Sequence, residues 1–518
     1  MKNHYYLLFT ICYLLFAGSA NAQPGNLDSD FDADGKLTTT FGTGIETAYA
    51  TAVQTDGKII AAGYCSPPLD EDFAMARYNT DGTLDATFGT IGKATTNFTA
   101  GSDRAYSILI QPDGKIIMAG TVINSDYDFA MARYNSDGSL DLTFSVDGKV
   151  STDFSGANNQ CYTAALQADG KIILAGQTNN PSSNDFALIR YNADGTLDNS
   201  FGTNGKVSTS FGNDMTSATI NALAVQADGK IVAAGEFRDG SSSLFALARY
   251  TADGNLDNTF SVDGKITTNA GDNFSQAYSL ALQPDGKILA AGYAQVGGTN
   301  YFAVLRYKTD GTLDTGFDGD GITTTVAAVF RGVAYSVLLQ PDGKIIGAGF
   351  SFNNSSEDFA LVRFNTNGAL DNTFGTGGTA VTAFTSSIDI AYATALTPDL
   401  KIVVAGTMFN GTDYDFAVAR YLSGLNLGTL EFSANTSALI YPNPLNETTV
   451  LSFELVTNEV LKISIYDMQG RKIKTISENQ FYAAGKHELS IDAGSLAGGQ
   501  YLLVLENGKG KTVIRLQK

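Results

Sequence analysis

Residues 282–288 read LQPDGKI, and near-copies of that heptad stand at six other places in the chain. The aspartates at their centres are Asp56, Asp113, Asp169, Asp228, Asp285, Asp342 and Asp399, spaced by 57, 56, 59, 57, 57 and 57 residues. So regular a period means one supersecondary unit stacked on itself, which overrides the three or four domains that 518 residues would otherwise suggest. Each unit cannot bury its own apolar faces, so its neighbours must do so.

One unit, residues 277–326, reads AYSLALQ, PDG, KILAAGY, a loop, YFAVLRYK, TDGTLDTGF and DGDGITTTV. The first segment is an apolar strand expected to be buried on both faces. Pro-Asp-Gly turns the chain, because Pro presets φ and Gly accepts the left-handed conformation, and a second apolar strand completes a hairpin. The third strand is expected to alternate, with Phe302, Val304 and Arg306 on one face and Ala303, Leu305 and Tyr307 on the other. A second Asp-Gly turn leads to a polar, Thr-rich fourth strand. The 55 glycines, the 17% of charged residues and the absence of Trp suit short strands joined by tight turns better than helices.

Four antiparallel strands of increasing polarity describe a propeller blade, so the chain is read as all-β, with a seven-bladed β-propeller. A solenoid would need atypical capping units, whereas the ends of this array complement each other. Residues 27–41 (LDSDFDADGKLTTTF) are a fourth strand with no predecessors. The seventh unit has a first strand (391–397), a second (401–407) and a third (415–421), then stops. Lending the N-terminal strand to blade seven closes the ring and removes the edges that invite aggregation.

The strand order resembles that of NHL-type propellers, and the LD-x-x-FG, GK and DFA-x-x-RYN wording resembles the delta-60 repeat proteins of secreted bacterial chains, over residues 27–421. That resemblance implies the fold and leaves the activity open.

Two polar positions recur in all seven units. Arg77, Arg133, Arg190, Arg249, Arg306, Arg363 and Arg420 close the third strand, while Asp28, Asp85, Asp141, Asp198, Asp257, Asp314 and Asp371 precede the fourth. A ring of anion-binding arginines is one reading. A structural Arg–Asp pair in each blade is the favoured one, since chemistry needed once is not written seven times. Asp30, Asp32 and Asp34 with Gly35 follow the opening of a calcium loop, and Asp318 and Asp320 echo it, but Phe41 stands where a bidentate Glu should close it. Calcium is therefore a weak candidate, and no other cofactor is expected. The two histidines are His4 and His487, so the repeats contain none. Ser-His-Asp and Cys-His catalysis and His-ligated metals are excluded there. An enzyme would have to work through carboxylates, and none is expected.

Lys2, an apolar run at residues 5–18 and Ala20-Asn21-Ala22 before Gln23 make a secretory signal peptide with its cut after Ala22. Fourteen apolar residues are too few to span a membrane comfortably, so the mature protein is expected to have no transmembrane span. The mature chain keeps Cys65 and Cys161, in first and third units, expected as unpaired thiols. Residues 23–429 hold 23 Lys/Arg against 44 Asp/Glu, a net charge of −21, which disfavours nucleic acid and anionic lipid.

After Tyr421 the wording changes. Residues 422–437 read as a linker, and 438–518 as a small β-sandwich with strands at 449–456, 461–467, 472–476, 487–491, 501–507 and 512–516. Tyr441-Pro442-Asn443-Pro444, then ISIYDMQGRKI with Gly470 and Arg471, then L-x-x-G-x-Y-L-L-x-L from Leu496, resemble the C-terminal sorting domain of the type IX secretion system of Bacteroidota. The resemblance implies that residues 438–518 engage that machinery and are removed, with the protein released or held at the cell surface by way of the periplasm. The expectation is a binding scaffold for an extracellular glycan or protein, its ligand sought on the loops at 65–72, 122–128, 178–185 and 294–300. Two alternatives stay open: a carboxylate-based hydrolase or lyase acting on extracellular polysaccharide, and a purely structural surface protein.

Overall fold

The fold is described from a computed structural model that covers residues 23–518, apart from 67–69, 155–157, 181–182, 213–215, 327–330, 354, 426–437, 442, 444, 446, 456–457, 469 and 508–509. The signal segment with Ala20 and Ala22, most of the linker, Pro442 and Pro444 lie outside the described residues.

Seven four-stranded antiparallel sheets follow one another. Blade one runs Glu46–Val53, Ile59–Cys65, Asp72–Tyr78 and Lys93–Thr96. The first strands of successive blades lie side by side around an axis, and the strand opening blade seven, Asp389–Leu396, lies next to that of blade one. The ring closes through its ends. Lys36–Thr39 pairs antiparallel with Tyr414–Tyr421, in the register Lys36 with Ala419 through Thr39 with Phe416.

The sevenfold turn has a mechanical explanation. In blade five the Gln283 amide donates to Lys287 O at 2.8 Å and the Gly286 amide to Gln283 O at 2.9 Å. Gly286 sits at φ +83°, where an L side chain is strained, and Asp285 Oδ1 accepts the Lys287 amide at 3.2 Å. One turn thus fixes the register of each hairpin. The worn seventh copy places Leu400 at φ +65° instead.

Burial departs from the sequence expectation. The second strand is the most enclosed, every residue of Ile59–Cys65 being buried. The third does not alternate: Ala303, Leu305 and Tyr307 are as buried as Phe302 and Val304, because blades cover both faces. The first strand, expected to be buried on both sides, is half-exposed along one face because it lines the axis. Apolar clusters lie between adjacent blades, as in Phe73, Met75 and Phe88 of blade one against Ile116 and Met118 of blade two. Cys65 and Cys161 are buried and free.

The C-terminal region forms a three-stranded sheet (Ala438–Tyr441, Thr448–Leu455, Gly485–Asp492) and a four-stranded one (Lys472–Tyr482, Glu459–Asp467, Gln500–Asn507, Gly510–Gln517). They enclose their own core of Leu451, Phe453, Ile463, Ile465, Leu503 and Leu516.

Candidate functional site at the propeller axis

The recurring Arg and Asp are brought together in every blade. Arg77 Nε donates to Asp85 Oδ2 at 2.8 Å, and Lys58, from the turn, reaches the same oxygen at 2.8 Å. Equivalent triads join Arg133 to Asp141, Arg190 to Asp198, Arg249 to Asp257, Arg306 to Asp314 and Arg363 to Asp371. Arg420 meets Asp28, from the other end of the chain, at 2.7 Å, with Lys401 at 2.9 Å. The second guanidinium nitrogen leaves the blade: Arg133 Nη1 donates to Ala193 O at 2.6 Å in the next one, and Arg420 reaches Thr80 O across the closure. Each guanidinium also lies over a Phe ring, 4.3 Å for Arg77 on Phe88. Burial alone would raise the Asp85 carboxyl, but Lys58, Thr87 and Arg77 outweigh it and hold it well below the ordinary carboxylate range. With Nε held by the carboxylate of its own blade and Nη1 by a carbonyl of the next, each arginine is a latch between blades.

The acids compared with a calcium loop serve turns. Asp32 and Asp318 both sit at φ +49°, a place taken by Gly89, Ser145, Gly202, Ser261 and Gly375 in the other blades, and each amide donates to a carbonyl of the next blade at 2.8 Å. Asp34 and Asp320 cap turns by accepting the Lys36 and Ile322 amides. Asp30 donates its amide weakly, at 3.4 Å, to Asp28. Among the described residues no three of His, Cys, Asp and Glu gather as metal ligands.

In the sandwich, Asn443 docks on the strand Gly510–Gln517, donating to Arg515 O and accepting the Gln517 amide, both at 2.9 Å. Tyr441 is half-exposed, and Gly470 (φ +78°) and Arg471 close a hairpin in which Arg471 Nε meets Asp467 at 2.6 Å. Gln23 binds the Gly375 carbonyl.

A different set of residues lines the axis. Each first strand carries a β-bulge, with the register slipping between Ala48 and Ala50 in blade one and at the equivalent place in the other six. The residue left over is Tyr49, Tyr106, Tyr162, Asn221, Tyr278, Tyr335 or Tyr392. Opposite the bulge stands the glycine of the AG pair, and a Cβ there would lie 1.8 Å from a backbone oxygen in blades one, three, four, five and six. The bulge pushes the tyrosines into the axial cavity, of about 390 Å³, which they line together with Asn221, Thr163, Ser279 and Ser336.

The six rings form an unbroken arc. Centroids are 4.7 Å apart for Tyr278–Tyr335, 5.1 for Tyr335–Tyr392, 4.8 for Tyr392–Tyr49, 4.9 for Tyr49–Tyr106 and 5.4 for Tyr106–Tyr162. Burial raises their hydroxyl pKa values, to about 12 for Tyr335, so they stay neutral. In blade four Asn221 interrupts the arc, its Nδ2 donating to Ala277 O at 2.8 Å. Next to that break, blades three and four place an amide chain: Tyr162 OH donates to Gln160 Oε1 (2.8 Å), Gln177 Nε2 to the same oxygen (2.7 Å), and Thr219 Oγ1 to Gln177 Oε1 (2.6 Å). Glu236 follows, held by Arg238 at 2.7 Å and by Ser243.

Sequence reasoning looked for the site on loops and missed this ring. The signal was present, since each of the seven residues stands seven places before its turn aspartate.

Fold and closure define a seven-bladed β-propeller followed by a separate β-sandwich. Residues 54–88, 111–144, 167–201, 226–260, 283–317 and 340–374 match the family described as "Domain of unknown function (DUF5122) beta-propeller", and residues 439–518 match "Secretion system C-terminal sorting domain". The chain carries repeats of that propeller family and a type IX sorting domain, which directs it to the cell surface or extracellular space. Each matched stretch runs from the turn glutamine to the phenylalanine beneath the arginine, and the seventh copy, divided between the ends, is not among them. No curated protein matches the sequence. Similar solved structures include polysaccharide lyase Uly1 (13% identity, TM-score 0.44, 74% of this chain and 92% of that one). A PL25 ulvan lyase bound to -[GlcA(1-4)Rha3S]- follows (13%, 0.42, 75% and 95%). A third is the β-propeller domain of the Trilobed protease from Pyrococcus furiosus, with an open velcro topology (11%, 0.37, 72% and 96%). Likeness at these scores carries no argument about activity. Among the described residues no helix is long and apolar enough to cross a membrane.

Proposed function

We propose that this is an exported binding protein that takes an extracellular ligand, a glycan or a protein surface, at the tyrosine-lined mouth of the propeller axis. The observation that carries the reading is the break in sevenfold repetition at Asn221, next to the amide chain of blades three and four. A purely structural ring has no use for one altered blade at its axis. The cavity lining is neutral, and the nearby carboxylates Glu71, Glu236 and Glu357 are each held by an arginine, which favours binding over carboxylate catalysis. No cofactor, calcium included, enters this reading. The proposed mature chain begins at Gln23, closes its ring by residue 421 and loses the sorting domain, residues 438–518, through a cut in the linker at 422–437. The secretion machinery is the partner that reads the domain.

The test is a screen of the secreted protein against whole cells and insoluble polysaccharides. Saturable binding is expected, lost in the Tyr49→Ala/Tyr392→Ala double variant, which should still unfold in one cooperative transition at a lowered melting temperature. Release of reducing or unsaturated ends, abolished by a single Asp or Glu substitution, would overturn the reading in favour of an enzyme.

A further inference from the structure

The axial site has two unlike halves. From blade five through seven and one to three, tyrosine follows tyrosine at 4.7–5.4 Å, an aromatic wall of neutral rings. In blades three and four the lining residues Tyr162 and Asn221 adjoin a polar cluster, Gln160 and Thr219 two residues before them and Gln177 on the neighbouring strand, which supplies amides and a hydroxyl. The positions that follow the AG glycine of the second strand divide less sharply: Tyr64, Tyr293 and Phe350 in blades one, five and six back the tyrosines at 6.0–6.2 Å, blades two and seven hold Thr121 and Thr407, and blades three and four hold Gln177 and Glu236.

Such a site selects a molecule with the same division: one apolar face and a rim of hydroxyls. A pyranose ring has it, since its axial C–H bonds form a face that rests on aromatic rings while its equatorial hydroxyls both donate and accept. Amides match those hydroxyls because each offers two donors and an acceptor. A cavity of about 390 Å³ lies in the range that holds a small ligand. Charge narrows the class further. The cavity lining has no cation, the nearby Arg104, Arg238 and Arg331 are each engaged by a glutamate, and the propeller carries a net charge of −21, so a polyanion would be repelled.

We infer, on top of the binding reading, that the axis takes an uncharged oligosaccharide. One sugar ring stands in the gap left by Asn221, with its C–H face against the tyrosine arc and its hydroxyls on the amides of blades three and four. Asn221 is the specificity residue, because a tyrosine there would complete the arc and fill the gap.

The chain has no Trp, so its emission comes from tyrosine, and six of its 24 tyrosines form the arc. The secreted protein is titrated with cellohexaose, mannohexaose, laminarihexaose and chitohexaose, with hexagalacturonate as the anionic control. Saturable quenching by at least one neutral hexamer is expected, with hexagalacturonate at least tenfold weaker. Asn221→Tyr should weaken the neutral hexamer at least tenfold, and six blades already tolerate tyrosine at this bulge. Asn221→Leu, which fills the gap without a phenol, should do the same. The inference is overturned if no neutral hexamer changes the emission, if hexagalacturonate binds as tightly, or if both variants bind like the parent. In any of those cases, whole-cell binding that is still lost in the Tyr49→Ala/Tyr392→Ala variant would leave the binding reading standing and remove only the carbohydrate assignment.

Discussion

Replacing Asp28 by Ala tests whether the two ends of the chain are held by the same ion triad that knits every other blade. Asp28 is 3% exposed and Arg420 5%, and they meet at 2.7 Å. Lys401, with its side chain 22% exposed, can turn to water when the carboxylate is lost. Arg420, far more enclosed, keeps the Thr80 carbonyl, the Phe31 ring at 4.7 Å and the more distant charge of Asp81. Removing one partner of a buried pair costs about 3–5 kcal/mol, and the remaining contacts place this case near 3, roughly a hundredfold in the folded–unfolded ratio. Asp198→Ala in blade three breaks an equivalent triad away from the ends and serves as the control. Urea unfolding should show a similar loss for both. Limited proteolysis should separate them, since only Asp28→Ala releases residues 23–41, whose hold on the ring includes the four-residue strand Lys36–Thr39. A cost under about 1 kcal/mol for Asp28→Ala, or equal protease resistance of the two variants, would refute the argument that this triad holds the closure.

Four further outcomes are expected. Gly176→Ala puts a Cβ 1.8 Å from the Gln160 carbonyl oxygen and should cost more than about 3 kcal/mol or abolish soluble expression, whereas Gly42→Ala, with nothing within 4 Å, should stay within about 0.5 kcal/mol in thermal melts. Burial, with the Asp415 charge adding to it, raises Glu46 to about 7. The neutral form is therefore favoured on folding, and its stabilisation, full below pH 4.5, is lost as pH rises through 7. Glu46→Gln, always neutral, should gain melting temperature relative to the parent between pH 5 and pH 8, and a pH-independent difference would dismiss that account. Cys65 and Cys161, buried and with thiols pushed up to about 12, should react with a thiol reagent only after denaturation. Intact-mass measurement of extracellular protein should find a C-terminus between residues 424 and 439, and a chain still ending at Lys518 would require the sandwich to be a working domain.

The ring was legible because turn chemistry and period are local properties that repetition makes unmistakable. The closure was legible because residues 27–41 carry fourth-strand wording with nothing before them. Burial was harder to read. A strand such as AYSLALQ looks like core at every position, and an alternation argument presumes unbroken register. The bulge at Tyr278 breaks that register and turns the tyrosine toward the axis, which no periodicity reveals. The Arg–Asp positions were visible as a pattern, but the reach of Arg133 to Ala193 O in the next blade depends on how blades stack. In the sandwich, Ala438–Tyr441 was missed because four residues carry little pattern, and Lys472–Tyr482 was read short because several bulges interrupt its pairing.

The N-terminal strand has a consequence for biogenesis. Lys36–Thr39 has no sheet to join until Tyr414–Tyr421 exists, so the first strand made waits for nearly the whole propeller. A chain cut short anywhere before Tyr414 keeps an unpaired strand at one end and an unpaired blade edge at the other. Closing so long a loop adds only a few kcal/mol of entropy over a short one, but it makes sealing the last event of folding. The ring therefore works as a test of completeness: only a full-length propeller lacks a sticky edge, and truncated products stay open to proteases and to one another.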